Sequence, residues 1–209
     1  MDVSILLIGK GSCQKQIDYI RTRPTNYEYE IVVCSDEEHE DVVYIQDQGT
    51  SVSSLNEAYR NSNGQYIITC TNVVLPPSNM FDMVDKLSVL PTPICSPTGR
   101  NGRSPLIPEW AVERSCLHFR PQILRWPCFS RHAIDRLLSG VIFPRRFNHH
   151  YVDNWLGTYL ALIGLDIKED PHFRIQDIPH TAVSEYDEAD KLTYEYMCDN
   201  FHRDRKYDF

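Results

Sequence analysis

Val3-Ser4-Ile5-Leu6-Leu7-Ile8, followed at once by Gly9-Lys10-Gly11-Ser12, opens the chain with a short β-rich apolar run that halts at small, flexible residues. Such a run reads as a buried first strand, and the turn after it permits a helix start. That helix is predicted over about Gln14 to Arg21, ending before Pro24. Further out, a second apolar stretch, Tyr29 to Cys34, runs into the acidic segment Ser35 to Asp41, and a third strand covers Val42 to Ile45. Ser51 to Asn61 carries Leu55, Ala58 and Tyr59 at helical spacing up to an Asn63-Gly64 stop, and a fourth strand follows over Gln65 to Cys70. Strand and helix alternating across short connections predict an α/β fold: a central, mostly parallel sheet flanked by helices.

Pro91 to Pro108, with the Gly99-Arg100-Asn101-Gly102-Arg103-Ser104 stretch inside it, reads as an irregular loop able to serve as a lid. Beyond it the pattern predicts a helix over Phe129 to Leu138, a basic and aromatic link from Phe143 to His150 and an amphipathic helix from Val152 to Ile163. A strand near Ile167 and a tail helix from Glu185 to about Asn200 complete the reading.

The 209 residues, 42% apolar and 24% charged, suffice for one core and exclude a disordered or collagen-like chain. With 21 Lys and Arg against 29 Asp and Glu, the net charge of -8 argues against a phosphodiester polyanion as main partner. The apolar run at Val3 is far shorter than the roughly 20 residues that span a bilayer, and no signal-peptide pattern surrounds it. Neither a membrane span nor export is expected. Seven cysteines without a Cys-x-x-Cys pair fit free thiols in a reducing compartment, so the expected location is cytoplasmic.

In a parallel α/β sheet ligands bind beyond the carboxyl ends of the strands. The residues there are Gly9 and Lys10, Cys34 to Asp36, Asp47, and Thr71 with Asn72. Gly9 to Ser12 lacks the spacing of a nucleoside-triphosphate phosphate loop or of a dinucleotide fingerprint.

Glu30-Ile31-Val32-Val33-Cys34-Ser35-Asp36, then Asp47-Gln48-Gly49, then Leu55 through Ile68, then Val74-Leu75-Pro76-Pro77 resembles the nucleotide-sugar half of GT-A glycosyltransferases, family 2 in particular. The family's Asn-x-Gly-x-x-x-x-x-Gly-Glu-Tyr-Ile segment stands here as Asn56 to Ile67, with Ala58 for the first glycine and Gln65 for the glutamate. Transferases of this kind are encoded by viruses and by bacteria, and a viral product would act in the host cytoplasm.

The resemblance implies one GT-A domain whose residues 1–90 bind the nucleotide-sugar donor and whose residues 91–209 supply the acceptor wall and the catalytic base. It implies transfer of a hexose or deoxyhexose from a UDP-sugar to a hydroxyl of a glycan or glycoprotein, with inversion. Gly9, Lys10, Asp36, Asp47, Thr71 and Asn72 take the nucleotide-binding positions. The family's Asp-x-Asp, which holds Mn2+ or Mg2+ against the diphosphate, is degenerate here: the segment reads Thr69-Cys70-Thr71-Asn72-Val73. Asn72 and His180 are then the candidate metal contacts, and Lys10, Arg100 or Arg103 the alternative neutralisers of the diphosphate.

His149-His150-Tyr151-Val152-Asp153-Asn154-Trp155 resembles the family's acidic element at a helix start and puts Asp153 in the place of the general base. The other reading of Asp153 is an N-terminal helix acid favoured by the macrodipole. Trp126 and Trp155 suit an acceptor sugar's C–H face, or a core. The pairs His149-His150 and Arg145-Arg146 receive no role. The rival to an enzyme is a non-catalytic nucleotide-sugar or glycan-binding domain that kept the fold.

Overall fold

The computed structural model describes residues 1–89, 93–98, 106–177 and 187–201. Its first half follows the predicted alternation: β1 (Val3–Gly9), α1 (Gln14–Arg21), β2 (Tyr29–Ser35), β3 (Val43–Gln46), α2 (Ser51–Arg60) and β4 (Tyr66–Thr71). There follow β5 (Val74–Leu75), α3 (Asp82–Val89), β6 (Ile94–Thr98), α4 (Glu109–Arg114), β7 (Cys128–Ser130), α5 (Arg131–Leu137), α6 (Val152–Leu162), β8 (Glu169–Arg174), β9 (Gln176–Asp177) and α7 (Asp187–Asn200). Seven strands form one sheet in the order β3-β2-β1-β4-β7-β6-β8, while β5 and β9 pair separately. The β1–β2, β1–β4, β2–β3 and β6–β8 pairs are parallel, and β7 runs antiparallel to both its neighbours.

Period-2 alternation divides the central strands between two cores. From β1, Leu6 and Ile8 enter one core with Val52 and Leu55 of α2, Ile134 of α5, Trp155 of α6 and Tyr194 of α7. Val3, Ile5 and Leu7 enter the other, with Ile17 and Ile20 of α1 and Met83, Val84 and Leu87 of α3. Helices therefore cover both faces, as a sheet built of near-continuous apolar strands requires.

Two expectations are corrected. The stretch Pro91 to Pro108 is not irregular throughout, because Ile94–Thr98 is a fully buried strand. Its Pro97 falls where the register against β8 shifts, a position at which a missing N–H disturbs the ladder least. The Gly99 to Ser104 stretch, with Arg100 and Arg103, lies outside the described residues. Phe129 is not helical but the centre of β7, and α5 begins only after Ser130, whose hydroxyl accepts a hydrogen bond from the Ala133 amide at 3.2 Å. A three-residue strand is too short to show a period. Among the described residues no helix is long and apolar enough to cross a membrane.

One packing detail positions the site. Gly157 in α6 faces the backbone of Gln122, and a Cβ there would overlap the Gln122 carbonyl oxygen. The helix thereby lies close against the 122–126 segment, with the Leu124 amide donating to the Asp153 carbonyl at 3.4 Å. Gly157→Ala should lower stability by about 1–3 kcal/mol through overpacking, although alanine is the better helix former by about 1 kcal/mol. Urea denaturation measures this, and an unchanged or raised midpoint would refute the close approach.

Candidate functional site

A cavity of about 600 Å3 opens at the carboxyl ends of β1 and β4, within the usual range of roughly 300–1,000 Å3 for small-molecule sites. Its walls are Ile8 and Thr71 from the strand ends, Ser51, Val52 and Leu55 from α2, residues 123–126, and the corner 149–154 that leads into α6. The strand tips and the helix start carrying Asp153 thus meet in one cleft.

The corner is held by a buried charge. Asp190 of α7 is 0% exposed. Its Oδ1 accepts from the backbone amide and side-chain amide of Asn148 (2.8 and 3.1 Å), and its Oδ2 from the amides of His149 and His150 (both 2.7 Å). Asn56, 3% exposed, does similar work one segment earlier: its Oδ1 accepts from the Ile142 and Phe143 amides and its Nδ2 donates to the Phe143 carbonyl. The motif asparagine is therefore a clamp on the link to the corner.

Tyr151 then takes a left-handed conformation (φ 57°) at the α6 N-cap, and Trp126, also on the cavity wall, has φ 46°. Such non-glycine geometry costs on the order of 1 kcal/mol or more and gathers at functional sites. Asp153 sits in the first turn of α6 with Oδ1 accepting from the Asn154 amide at 2.9 Å. Burial pushes its carboxyl up from 3.8, outweighing the Asn154 hydrogen bond and the nearby charges of Arg125 and His150 that pull it down.

At the cavity's rim, Gly9 ends β1 so close to Asn72 that a Cβ would collide with the Asn72 carboxamide. The Asn72 Nδ2 donates to the Lys10 carbonyl at 2.5 Å and the Asn72 amide to the Ile8 carbonyl at 3.0 Å, which ties β4 to the β1 turn. Asp36, just past β2, accepts from the Gly11 amide through Oδ1, and Asp47, past β3, accepts from Ser54 Oγ at 2.7 Å.

Of the residues expected from sequence, the cavity itself brings together Thr71, Trp126 and Asp153. Gly9, Lys10, Asp36, Asp47 and Asn72 lie at or just past the ends of β1 to β4 and do not line it. Trp155 is a correction: it is 0% exposed and packs against Tyr159, Tyr194 and Phe201, so its ring belongs to the core rather than to an acceptor surface. His180 lies outside the described residues.

The cavity wall also includes His149 and His150, to which the sequence assigns no role, and Arg125, which nothing in the sequence singles out. The two imidazoles meet edge to face at 4.6 Å, and His149 Nδ1 is hydrogen-bonded to Ser51 Oγ. Doubled histidines next to a helix start were the available signal; Arg125 gives none in the sequence.

At the end of β4, Thr71 and Asn72 offer no charged oxygen of the kind a hard divalent cation prefers, and the Asn72 carboxamide is bound into the β1 turn. Among the described residues no group of three His, Cys, Asp or Glu side chains converges as metal ligands would.

No protein-family model and no curated protein sequence matches the chain. Solved structures do match its fold. A mannosyltransferase, PcManGT from Pyrobaculum calidifontis, in complex with GDP-Man and Mn2+, superposes with a TM-score of 0.60 at 16% identity over 86% of this chain and 58% of its own. S. aureus TarS 1-349 in complex with UDP-GlcNAc gives 0.58 at 12% identity over 94% and 67%, and its complex with UDP 0.56 at 11% over 95% and 65%. The chain thus spans less than two thirds of the mannosyltransferase's length. At these identities the likeness carries the fold alone, and that fold is the GT-A fold of glycosyltransferases.

The raised Asp153 carboxyl gives a stability prediction with a definite sign. The folded chain holds this proton more tightly than the unfolded one, so the group's contribution falls as pH rises from the ordinary 3.8 through the raised value and stays low at neutral pH. Asp153→Asn should therefore raise the melting temperature at pH 7, and the gain should vanish as pH falls toward 3.8. Thermal melts of both forms across that range test it; a lower melting temperature for the variant at pH 7 would contradict the desolvation argument.

Proposed function

We propose that the protein is a glycosyltransferase that moves a hexose or deoxyhexose from a UDP-sugar to a hydroxyl of a glycan or glycoprotein, with inversion and with Asp153 as general base. One observation supports this reading: Asp153 lines the same cavity as Ile8 and Thr71 at the carboxyl ends of β1 and β4, the ends at which α/β sheets receive ligands. The TarS structures that hold UDP and UDP-GlcNAc support the donor class, and the mannosyltransferase with GDP-Man supports sugar transfer by this fold.

In this scheme residues 1–90 receive the donor. Asp36 and Asp47 each have a second carboxylate oxygen to offer a base imide or a ribose hydroxyl, a strong charge-assisted acceptor. Thr71 shapes the floor, Gly9 allows the tight β1 turn beside it, and Trp126 offers a ring face to the acceptor or donor sugar. Residues 91–209 supply the acceptor wall. As the acceptor oxygen attacks the anomeric carbon, Asp153 takes its proton, and the bond to the diphosphate breaks on the opposite face. A carboxyl whose pKa burial has raised is a stronger base than a solvated aspartate, which suits this step.

The replacement of both Asp-x-Asp acids by Thr71 and Asn72 favours a second reading, a nucleotide-sugar-binding domain without turnover. Asp153→Asn separates the two. For an enzyme, turnover of UDP-sugar should drop by about 10²–10⁴ while UDP affinity stays within about twofold, since a general base acts in the transition state. Product release followed by chromatography and UDP binding by calorimetry provide the two readouts. Nucleotide binding by the wild type without transfer or hydrolysis would leave the binding domain standing.

A further inference from the structure

We propose that His149 and His150, together with Arg125 and Lys10, form a cationic cradle that takes the charge of the donor's diphosphate, the part a divalent ion plays where paired acids are present. This rests on the nucleotide-sugar reading above and specifies what that site uses on its anionic substrate.

Placement is the first argument. Both imidazoles and Arg125 stand on the wall of the cavity that also contains Asp153 and the β4 end, where a leaving diphosphate would face the base across the sugar. Rigidity is the second. The backbone of the pair is fixed by the Asp190 carboxylate, and the first ring is oriented by Ser51 at the start of α2. Two adjacent histidines on a free loop would point anywhere, whereas these are held as preorganised donors, which is what stabilising a developing charge demands. If Ser51 donates to Nδ1, the neutral His149 ring carries its proton on Nε2, and in the imidazolium Nδ1 donates to Ser51 while Nε2 still offers a proton to a ligand oxygen.

Charge is the third argument. The groups that face His149 are His150 on its own segment, Lys10 from the β1 turn, Asp190 from α7 and the neutral Ser51 hydroxyl; Asp187 of α7 lies farther along the same wall. Desolvation, His150 and Lys10 lower the His149 pKa from 6.5, and only Asp190 raises it. Asp153 faces His150 and Arg125, so at His149 itself Asp190 alone offsets desolvation and the neighbouring positive charges, and an arriving diphosphate adds negative charge that favours the imidazolium. As the anomeric carbon–oxygen bond breaks, its electron pair goes to the β-phosphate oxygen and adds one negative charge. Imidazolium and guanidinium N–H donors facing that oxygen receive the charge without any metal ligand from β4.

Calorimetric titration of the full chain with UDP and with uridine, in EDTA and in Mn2+, tests the cradle. UDP should bind in EDTA with a Kd within about threefold of that in Mn2+ and weaken as pH rises past the histidine range. The His149→Gln/His150→Gln double variant and, separately, Arg125→Gln should each weaken UDP by about tenfold or more, the size expected for lost charge-assisted hydrogen bonds, with uridine unchanged within about twofold. Melting curves confirm that each variant is folded, and the exposed Lys10→Ala gives a variant that packing cannot confound. UDP binding that needs Mn2+ and ignores the histidine and arginine changes would overturn the cradle and leave the transferase reading intact. An equal loss of UDP and uridine would also overturn it, by assigning the residues to the base. A wild type that binds neither UDP, GDP nor uridine would remove the nucleotide-sugar reading and the cradle with it.

Discussion

The Asp190 carboxylate is the fixed point of this site. A charge at 0% exposure is tolerable only when its lone pairs are filled, and four donors from three consecutive residues fill them. The same bonds remove the freedom of the 148–150 segment, so that α6 starts at a set place and angle over the ends of β1 and β4. Everything chemical in the cavity follows from that geometry: Asp153 in the first turn, the imidazoles at the corner, and Tyr151 in a left-handed conformation between them.

Close approaches complete the arrangement. Gly157 lets α6 contact the Gln122 backbone and so brings Arg125 near Asp153, while Gly9 lets the Asn72 side chain close the β1 turn. An added methyl at Gly157 would push α6 off the Gln122 backbone, and one at Gly9 would displace the Asn72 carboxamide from the β1 turn. Trp126 and Tyr151, two of the five non-glycine residues with positive φ among the described residues, stand on the same wall. Burial of the Asp153 carboxyl raises its pKa and so lowers stability at neutral pH.

The chain carries a net charge of -8, and the described cavity sets Arg125, His149 and His150 on its wall beside Asp153 and Asp187, with Lys10 close to His149. A chain of net negative charge disfavours extended polyanions as partners. The free thiols play no visible part in this chemistry; burial raises Cys13 and Cys70 to about 12, which leaves them unreactive.

The sequence by itself determined the alternation β1-α1-β2-β3-α2-β4, because local period and turn residues act within a few positions, and α1 appears over the residues predicted for it. It also determined Asp153 at a helix start. It could not reveal β6 or β7, whose short, proline-bordered or three-residue runs are strands only because neighbouring strands complete their hydrogen bonds. Nor could it separate Trp126 from Trp155, two tryptophans of equal apolar size, one on a cavity wall and one enclosed by Tyr194 and Phe201. Tertiary structure alone decided that Asp190, 40 residues from His150 in the chain, is the group that sets the histidine corner. A hydrogen bond across that separation depends on how α7 packs against α6, and no local pattern records it.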